Sequence, residues 1–412
     1  GRGGGAGRER PVAGAMSALQ ALAVREVAAF WLLGLLNNSA YVVMMAGASE
    51  IAAGGVGLVY LANVAPGMLV KLTLPYWGDL ASYRQRVLGA AACMLLAFLL
   101  VGLGSSLWLQ LLGVAFCSLQ AGVGEASLLG LTAKYPAHTG ALLTAWSSGT
   151  GFAGVFGYAW VVALHRLIGL TLRATLLIAC VLVGLWLLAF FLLLPPPPAS
   201  AGEDGEPLVP PASKAGLRAK AAATGRMRTD LSLGERFAFV LGLWPYTVPL
   251  VTVFFAEYAM MTGAWAVIGF PINEQAARTK FYTYANWCYQ VGVFVSRSSG
   301  TVFQAPLWAL WVMPGLQAGF LAAFCADAMW HFWWDWGLLV PCFVTGLLGG
   351  AVYVNAFTLI KRDIPPSKGC ELALTSASVG DSFGIVFSDA TGLLIQGCLY
   401  RWNGIPGAEF RC

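Results

Sequence analysis

Residues 170–198 read LTLRATLLIACVLVGLWLLAFFLLLPPPP. From Leu170 to Leu194 the run carries one charge, Arg173, close to its start, and four successive prolines then close it. A helix of about 20 residues crosses the roughly 30 Å hydrocarbon core of a bilayer. Proline cannot continue a helix, because it lacks the amide hydrogen and collides with the preceding turn. The stretch therefore reads as a membrane-spanning helix with a sharp end. The same reading extends to 27–49, 56–77, 87–103, 107–133 and 141–164 before it, and to 237–262, 281–295, 306–326, 337–360 and 372–399 after it. The span at 281–295 is short for a crossing, and the one at 237–262 is expected to begin with an interfacial turn.

Composition agrees. Of the 412 residues, 58% are hydrophobic and 10% charged, with a mean hydropathy of +0.72, against roughly 25% charged residues in soluble domains. The expected fold is an all-α polytopic membrane protein of about eleven transmembrane helices. Away from the span ends, charges are confined to Lys71, Glu125, Glu257, Asp381 and Asp389. A charge near the bilayer centre costs about 2.5 to 3.5 kcal/mol on insertion scales, so it persists where it faces a partner or a polar cavity.

Basic residues collect on the cytosolic side of membrane proteins. With the N-terminus placed there, cytosolic segments hold 17 of the 24 lysines and arginines. This predicts a cytosolic tail at 1–26, a six-helix bundle at 27–194, a disordered cytosolic linker at 195–236, a bundle of about five helices at 237–399, and a tail at 400–412. The linker reading rests on Pro195–Pro198, the acidic group Glu203, Asp204 and Glu206, and a mixed basic stretch, a composition that cannot bury enough apolar surface to fold.

The two halves echo each other. Asn38 to Met45 in the first span parallels Ala256 to Met261 in the seventh, and Ser147 to Phe156 in the fifth parallels Ser376 to Phe387 in the eleventh. If each half holds two three-helix repeats, as in two-bundle transporters, spans one, four, seven and ten line a central cavity. Each carries isolated polar groups: Asn37 and Asn38, Glu125, Glu257, and Asn355. Glu125 and Glu257 are expected to face the cavity as protonatable groups. The asparagines fit either the cavity or interhelical hydrogen bonds. Ser147, Ser148, Gly149, Gly151 and Gly154 read as a close-packing face. Lys71 either snorkels to the interface or pairs with a carboxylate.

Several stretches carry a resemblance: Phe30 to Asn38, Trp146 to Gly151, Val248 to Tyr258, Tyr289 to Ser299, and Gly346 to Asn355. They are similar to the battenin family of lysosomal or vacuolar membrane proteins, in order and over nearly the whole chain. The resemblance implies a fold like that of the major facilitator superfamily and a place in late endosomal, lysosomal or vacuolar membranes. It also implies a link to organelle pH homeostasis, with clearance of glycerophosphodiesters in animal members and vacuolar arginine transport in fungal ones. The family's blocks map here to Asn37, Asn38, Ser147, Ser148, Glu257, Tyr258, Arg297, Asn355 and Asp381. Two features depart from it. The chain ends Glu409-Phe410-Arg411-Cys412, without a prenylation box, and the acidic dileucine signal survives as Asp204 to Val209, so that sorting-adaptor contact is expected at 203–209. The sequence begins at Gly1, ahead of Met16, with no signal-peptide pattern.

The nine cysteines show no metal-ligand spacing or pairing pattern and read as small packing residues or acylation sites. His138, His165 and His331 read as loop residues, and no protease or hydrolase motif accompanies them. No cofactor, metal, nucleic-acid partner or enzymatic activity is expected. The tryptophans at 330, 333, 334 and 336 read as an interfacial belt. The function expected is secondary transport of a small polar metabolite across the organelle membrane, with protons as a coupling ion. A non-transporting trafficking scaffold is the alternative.

Overall fold

The computed structural model describes residues 9–47, 51, 56–197, 232–365, 369–406 and 412. These residues are almost entirely helical, with no strand among them. Helices α1 (Glu9–Ala46), α2 (Val56–Trp77), α3 (Tyr83–Leu103), α4 (Leu107–Thr132), α5 (Thr139–Val161) and α6 (Leu172–Leu193) make the first half. The short α7 (Leu233–Leu241) precedes the second, built from α8 (Trp244–Ala264), α9 (Gln275–Arg297), α10 (Leu307–Trp330), α11 (Leu339–Asp363) and α12 (Cys370–Trp402). Among the described residues, eight helices are long and apolar enough to cross a membrane, and the other long ones, α2, α5 and α9, pack among them.

Helices start where a polar side chain satisfies amides that the first turn leaves free. Ser82 and Gln85 form a reciprocal capping box at α3, Ser106 caps α4, and Thr171 caps α6. Ser232 and Glu235 form a second box at α7, and these hydrogen bonds hold the Glu235 carboxyl below its ordinary range. Arg236 then fastens α7 to the end of α2, donating to Pro75 O at 3.1 Å and Asp79 Oδ2 at 2.8 Å.

Three boundaries differ from those expected, and one expected break is present. Residues 9–26 continue α1 instead of forming a tail, since alanine, leucine and glutamine there favour helix. The expected linker ends earlier, because 232–236 begin α7; residues 198–231 lie outside the described residues. The span read at 237–262 divides at 242–243, in line with the interfacial turn expected there. The short stretch at 281–295 belongs to the 23-residue α9, long enough to cross. Its first turns carry Arg278 and Lys280, which hide it from a hydropathy reading.

The halves repeat one packing scheme. Helix α1 lies against α5 as α8 lies against α12, and α2 against α4 as α9 against α11. Small residues permit these approaches. A Cβ on Gly122 would stand 2.6 Å from Gly67 O, and one on Gly384 would stand 2.6 Å from Val251 O. The halves meet where α5 packs on α9, α12 on α2 and α4, and α11 on α5. At one end, Trp330, Trp333 and Trp336 are exposed, while Trp334 packs on Phe270 and His331. The cysteines correct one expectation: Cys398 and Cys412 form a disulfide. The pair was illegible because one partner sits in a helix and the other in the chain's last residue.

Candidate functional site

Polar residues inside the bundle gather into two clusters. The first lies between the halves. Lys71 Nζ on α2 is 2.6 Å from Glu125 Oε2 on α4 and 2.8 Å from Asp381 Oδ1 on α12. The Tyr353 hydroxyl on α11 donates to Glu125 Oε1 at 2.6 Å, and Ser382 Oγ donates to Asp381 Oδ1 at 2.9 Å. Trp146 Nε1 reaches the Tyr353 hydroxyl at 3.4 Å, and the Arg297 guanidinium lies 4.1 Å from the Tyr353 ring centroid. Arg297 Nη1 donates to Thr150 Oγ1 at 2.8 Å, while its Nε is buried with no hydrogen-bond partner. Two cations and two carboxylates, all buried, are thus held by residues of α2, α4, α5, α9, α11 and α12. Attraction between such charges is strong in a low-dielectric interior, and so is the penalty for separating them.

The second cluster belongs to the C-terminal half. Glu257 on α8 accepts from the Tyr289 hydroxyl at 2.8 Å and from Gln317 Nε2 at 3.4 Å. The carboxylate lies against Gly349 of α11, where any side chain would collide with it. Its counterpart in the first half is Asn37 on α1, which lies against Gly124 of α4 and accepts from Gln120 Nε2 at 2.8 Å. Each half thus seats a buried polar side chain on a glycine of another helix, an amide in the first half and a carboxylate in the second.

The structure brings Glu125 and Asp381 together on Lys71, keeps Glu257 outside that triad, and places Arg297 against Tyr353 within electrostatic reach of Glu257. Asn37 is fully buried and bonded between helices, while Asn38 is half-buried beside it. Asn355 serves the backbone: its Oδ1 accepts from Ala305 N at 2.7 Å and its amide donates to Ala351 O. Ser147 is buried with an unpartnered hydroxyl. Ser148 meets Ser298 Oγ at 2.9 Å and Trp31 Nε1 at 3.1 Å, beside an apolar cavity of about 670 Å³ between α1, α5 and the end of α9. Tyr258 is half-buried near Phe254. Tyr353, Thr150, Tyr289 and Gln317 were not singled out from the sequence. Tyr353 is two residues before Asn355 in a stretch that carried the resemblance, but a lone tyrosine in an apolar run gives no signal of its own. Lys71 pairs with carboxylates, which resolves its two readings.

Comparison with known proteins fits this geometry. Residues 28–402 match the family model of the CLN3 protein. Protein BTN1 of Chaetomium globosum is 33% identical, covering 94% of this chain and 91% of that protein. Battenin of Canis lupus familiaris is 34% identical, covering 90% of each, and Protein BTN1 of Saccharomyces cerevisiae is 30% identical, covering 90% and 94%. Among solved structures, the E. coli fucose:proton symporter FucP superposes with a TM-score of 0.57 at 13% identity, over 92% of this chain and 97% of that one. The proton:xylose symporter XylE gives 0.56 at 12% identity, over 94% and 96%. At such identities the likeness establishes the fold alone, that of the major facilitator superfamily.

Proposed function

The chain belongs to the CLN3 protein family, and we propose that this multi-pass, transporter-type membrane protein is a secondary transporter that moves a small polar metabolite by alternating access, coupled to protons. The observation that carries this reading is the Lys71–Glu125–Asp381 triad. It ties helices of opposite halves through one ammonium shared by two carboxylates. Proton transfer to Asp381 weakens the tie, proton transfer to Glu125 leaves the ammonium to Asp381 alone, and a change of tie between two bundles is what alternating access requires. Glu257, outside the triad, serves a different step of the cycle.

The substrate proposed is a glycerophosphodiester leaving an acidic organelle, the lysosome or vacuole, with the N-terminus in the cytosol and organelle pH balance as a consequence. Arg297 supports this choice, since its buried, unpartnered Nε is a donor suited to a phosphate oxygen. The alternative, a basic amino acid such as arginine, is supported by the excess of carboxylate over ammonium at Lys71. A sorting-adaptor contact at 203–209 belongs to the same proposal. Carrier behaviour has a direct signature: unlabelled substrate on one side of a proteoliposome membrane accelerates exit of labelled substrate from the other. A scaffold gives no such exchange, and no exchange with either solute would overturn the reading.

A further inference from the structure

Gln275, Arg278, Thr279 and Tyr282 stand at positions i, i+3, i+4 and i+7 of α9, a spacing that sets them on one side of its first turns. They line a cavity of about 190 Å³, completed by Ala266 just after α8 and by Tyr400 near the end of α12.

Arg278 gives the cavity its character. The residue is 8% exposed, yet among the described residues no carboxylate pairs with it. Its Nη1 donates to Ile272 O, and its guanidinium carbon lies 5.6 Å from the Tyr400 ring centroid. Gly269 lies against its backbone, where a Cβ would stand 2.6 Å from Arg278 N. The guanidinium is thus held in place with one donor spent. Its other donors are not sealed in the protein as Nε of Arg297 is, so they open on the cavity that the residue lines.

The remaining walls add donors. Among the described residues, the side chains of Gln275, Thr279 and Tyr400 make no hydrogen bond within the chain. No side chain caps α9, so the free amides of its first turn add positive potential at this end. No carboxylate lines the space, and the neighbouring Glu274 is exposed and forms no ion pair. A cation finds no counter-charge here, whereas an anion finds a guanidinium, an amide and hydroxyls. A phosphate group presents oxygens in several directions to donors spread around it, and a carboxylate presents two in one plane.

We propose that this cavity is a binding site for a phosphate group, on the side of the membrane that the proposed orientation makes luminal. It is separate from Arg297, which lies roughly 28 Å further along α9. Its role as a first docking point for a phosphate-bearing solute rests on the transporter reading; the binding itself does not.

The test uses the purified full chain in dodecyl maltoside, a detergent without phosphate, titrated calorimetrically with inorganic phosphate and with acetate at a mildly acidic pH where both are monoanions. Every protein carries Arg297→Gln, which removes the inner guanidinium from the readout. Phosphate binds, and acetate binds about tenfold more weakly or not at all. Arg278→Gln weakens phosphate binding by about tenfold or more, because a charge-assisted bond is lost. Thr279→Val, at an exposed position, weakens it by about threefold. Equal phosphate affinity with and without Arg278→Gln in folded protein overturns the site, as does equal affinity for the two probes. If Arg278→Gln does not fold, Thr279→Val decides, and unchanged affinity overturns the site. Added phosphatidylglycerol separates two sources of the group: phosphate affinity persists if the occupant is a solute and is lost if it is a lipid headgroup, and both results support the site. Phosphate binding without solute exchange in proteoliposomes supports the site and removes the carrier reading, whereas exchange without phosphate binding removes the site alone.

Discussion

Lys71 Nζ on α2 donates to Asp381 Oδ1 on α12 at 2.8 Å, across 310 positions of sequence and between the two halves of the bundle. The same ammonium meets Glu125 Oε2 at 2.6 Å. One cation thus serves two carboxylates, so a proton on either one changes which carboxylate the ammonium holds.

Removing the ammonium leaves two carboxylates facing each other away from water. Breaking a buried pair typically costs about 3 to 5 kcal/mol, because the remaining charge is uncompensated. Lys71→Met therefore lowers the thermal midpoint of the detergent-solubilised protein, and adding Glu125→Gln and Asp381→Asn restores most of the loss. Tryptophan fluorescence during heating reads this out; a single variant as stable as wild type contradicts it.

Glu257→Gln keeps the side-chain volume and can still accept from the Tyr289 hydroxyl, but it cannot exchange a proton. The expected result is a normal yield of folded protein whose transport no longer varies with pH on the acidic side. Uptake measured against pH, alongside protein abundance, checks this. Glu125→Gln is examined in parallel, and unchanged pH profiles in both would move the coupling group elsewhere.

At the α2–α4 contact, Gly122 has no room for a side chain, since its Cβ would stand 2.6 Å from Gly67 O. Overpacking of this kind costs about 1 to 3 kcal/mol when the backbone must shift. Gly122→Leu should lower both folded yield and thermal midpoint, whereas Gly140→Leu, at a site open around its Cβ, should change neither. Equal behaviour of the two proteins would show that the contact is loose.

Shortening the chain between Pro197 and Thr229 should preserve transport by reconstituted protein while altering its delivery in cells. The proline, alanine and mixed-charge composition of that segment offers too little apolar surface for a core. Loss of transport in correctly inserted protein is the contrary result.

Much of this architecture was legible because long apolar runs have few alternatives, as 170–194 illustrates. The exceptions are physical. Helix α9 carries Arg278, Lys280, Asn286 and Gln290 among its apolar residues, so hydropathy shortened it to 281–295. Glu125, Glu257 and Asp381 stood out as rare charges in apolar surroundings, but their grouping did not. Which carboxylate Lys71 meets depends on how the halves dock, and partners hundreds of positions apart leave no local pattern. Asn355 shows the converse. Its position in a span fitted a cavity or a hydrogen bond between segments, and its side chain is used by Ala305, just before α10, and by Ala351 within α11.

Proton-driven uptake into proteoliposomes tests the central claim most directly. With the interior neutral and the exterior acidic, the exterior standing for the organelle lumen, labelled glycerophosphodiester should enter faster with wild-type protein than with empty membranes. Collapsing the pH gradient should slow that entry, and Arg297→Gln should abolish it while the protein remains folded. Entry at the rate of empty membranes for both glycerophosphodiester and arginine, under every imposed gradient, would contradict the account and leave a scaffold in its place.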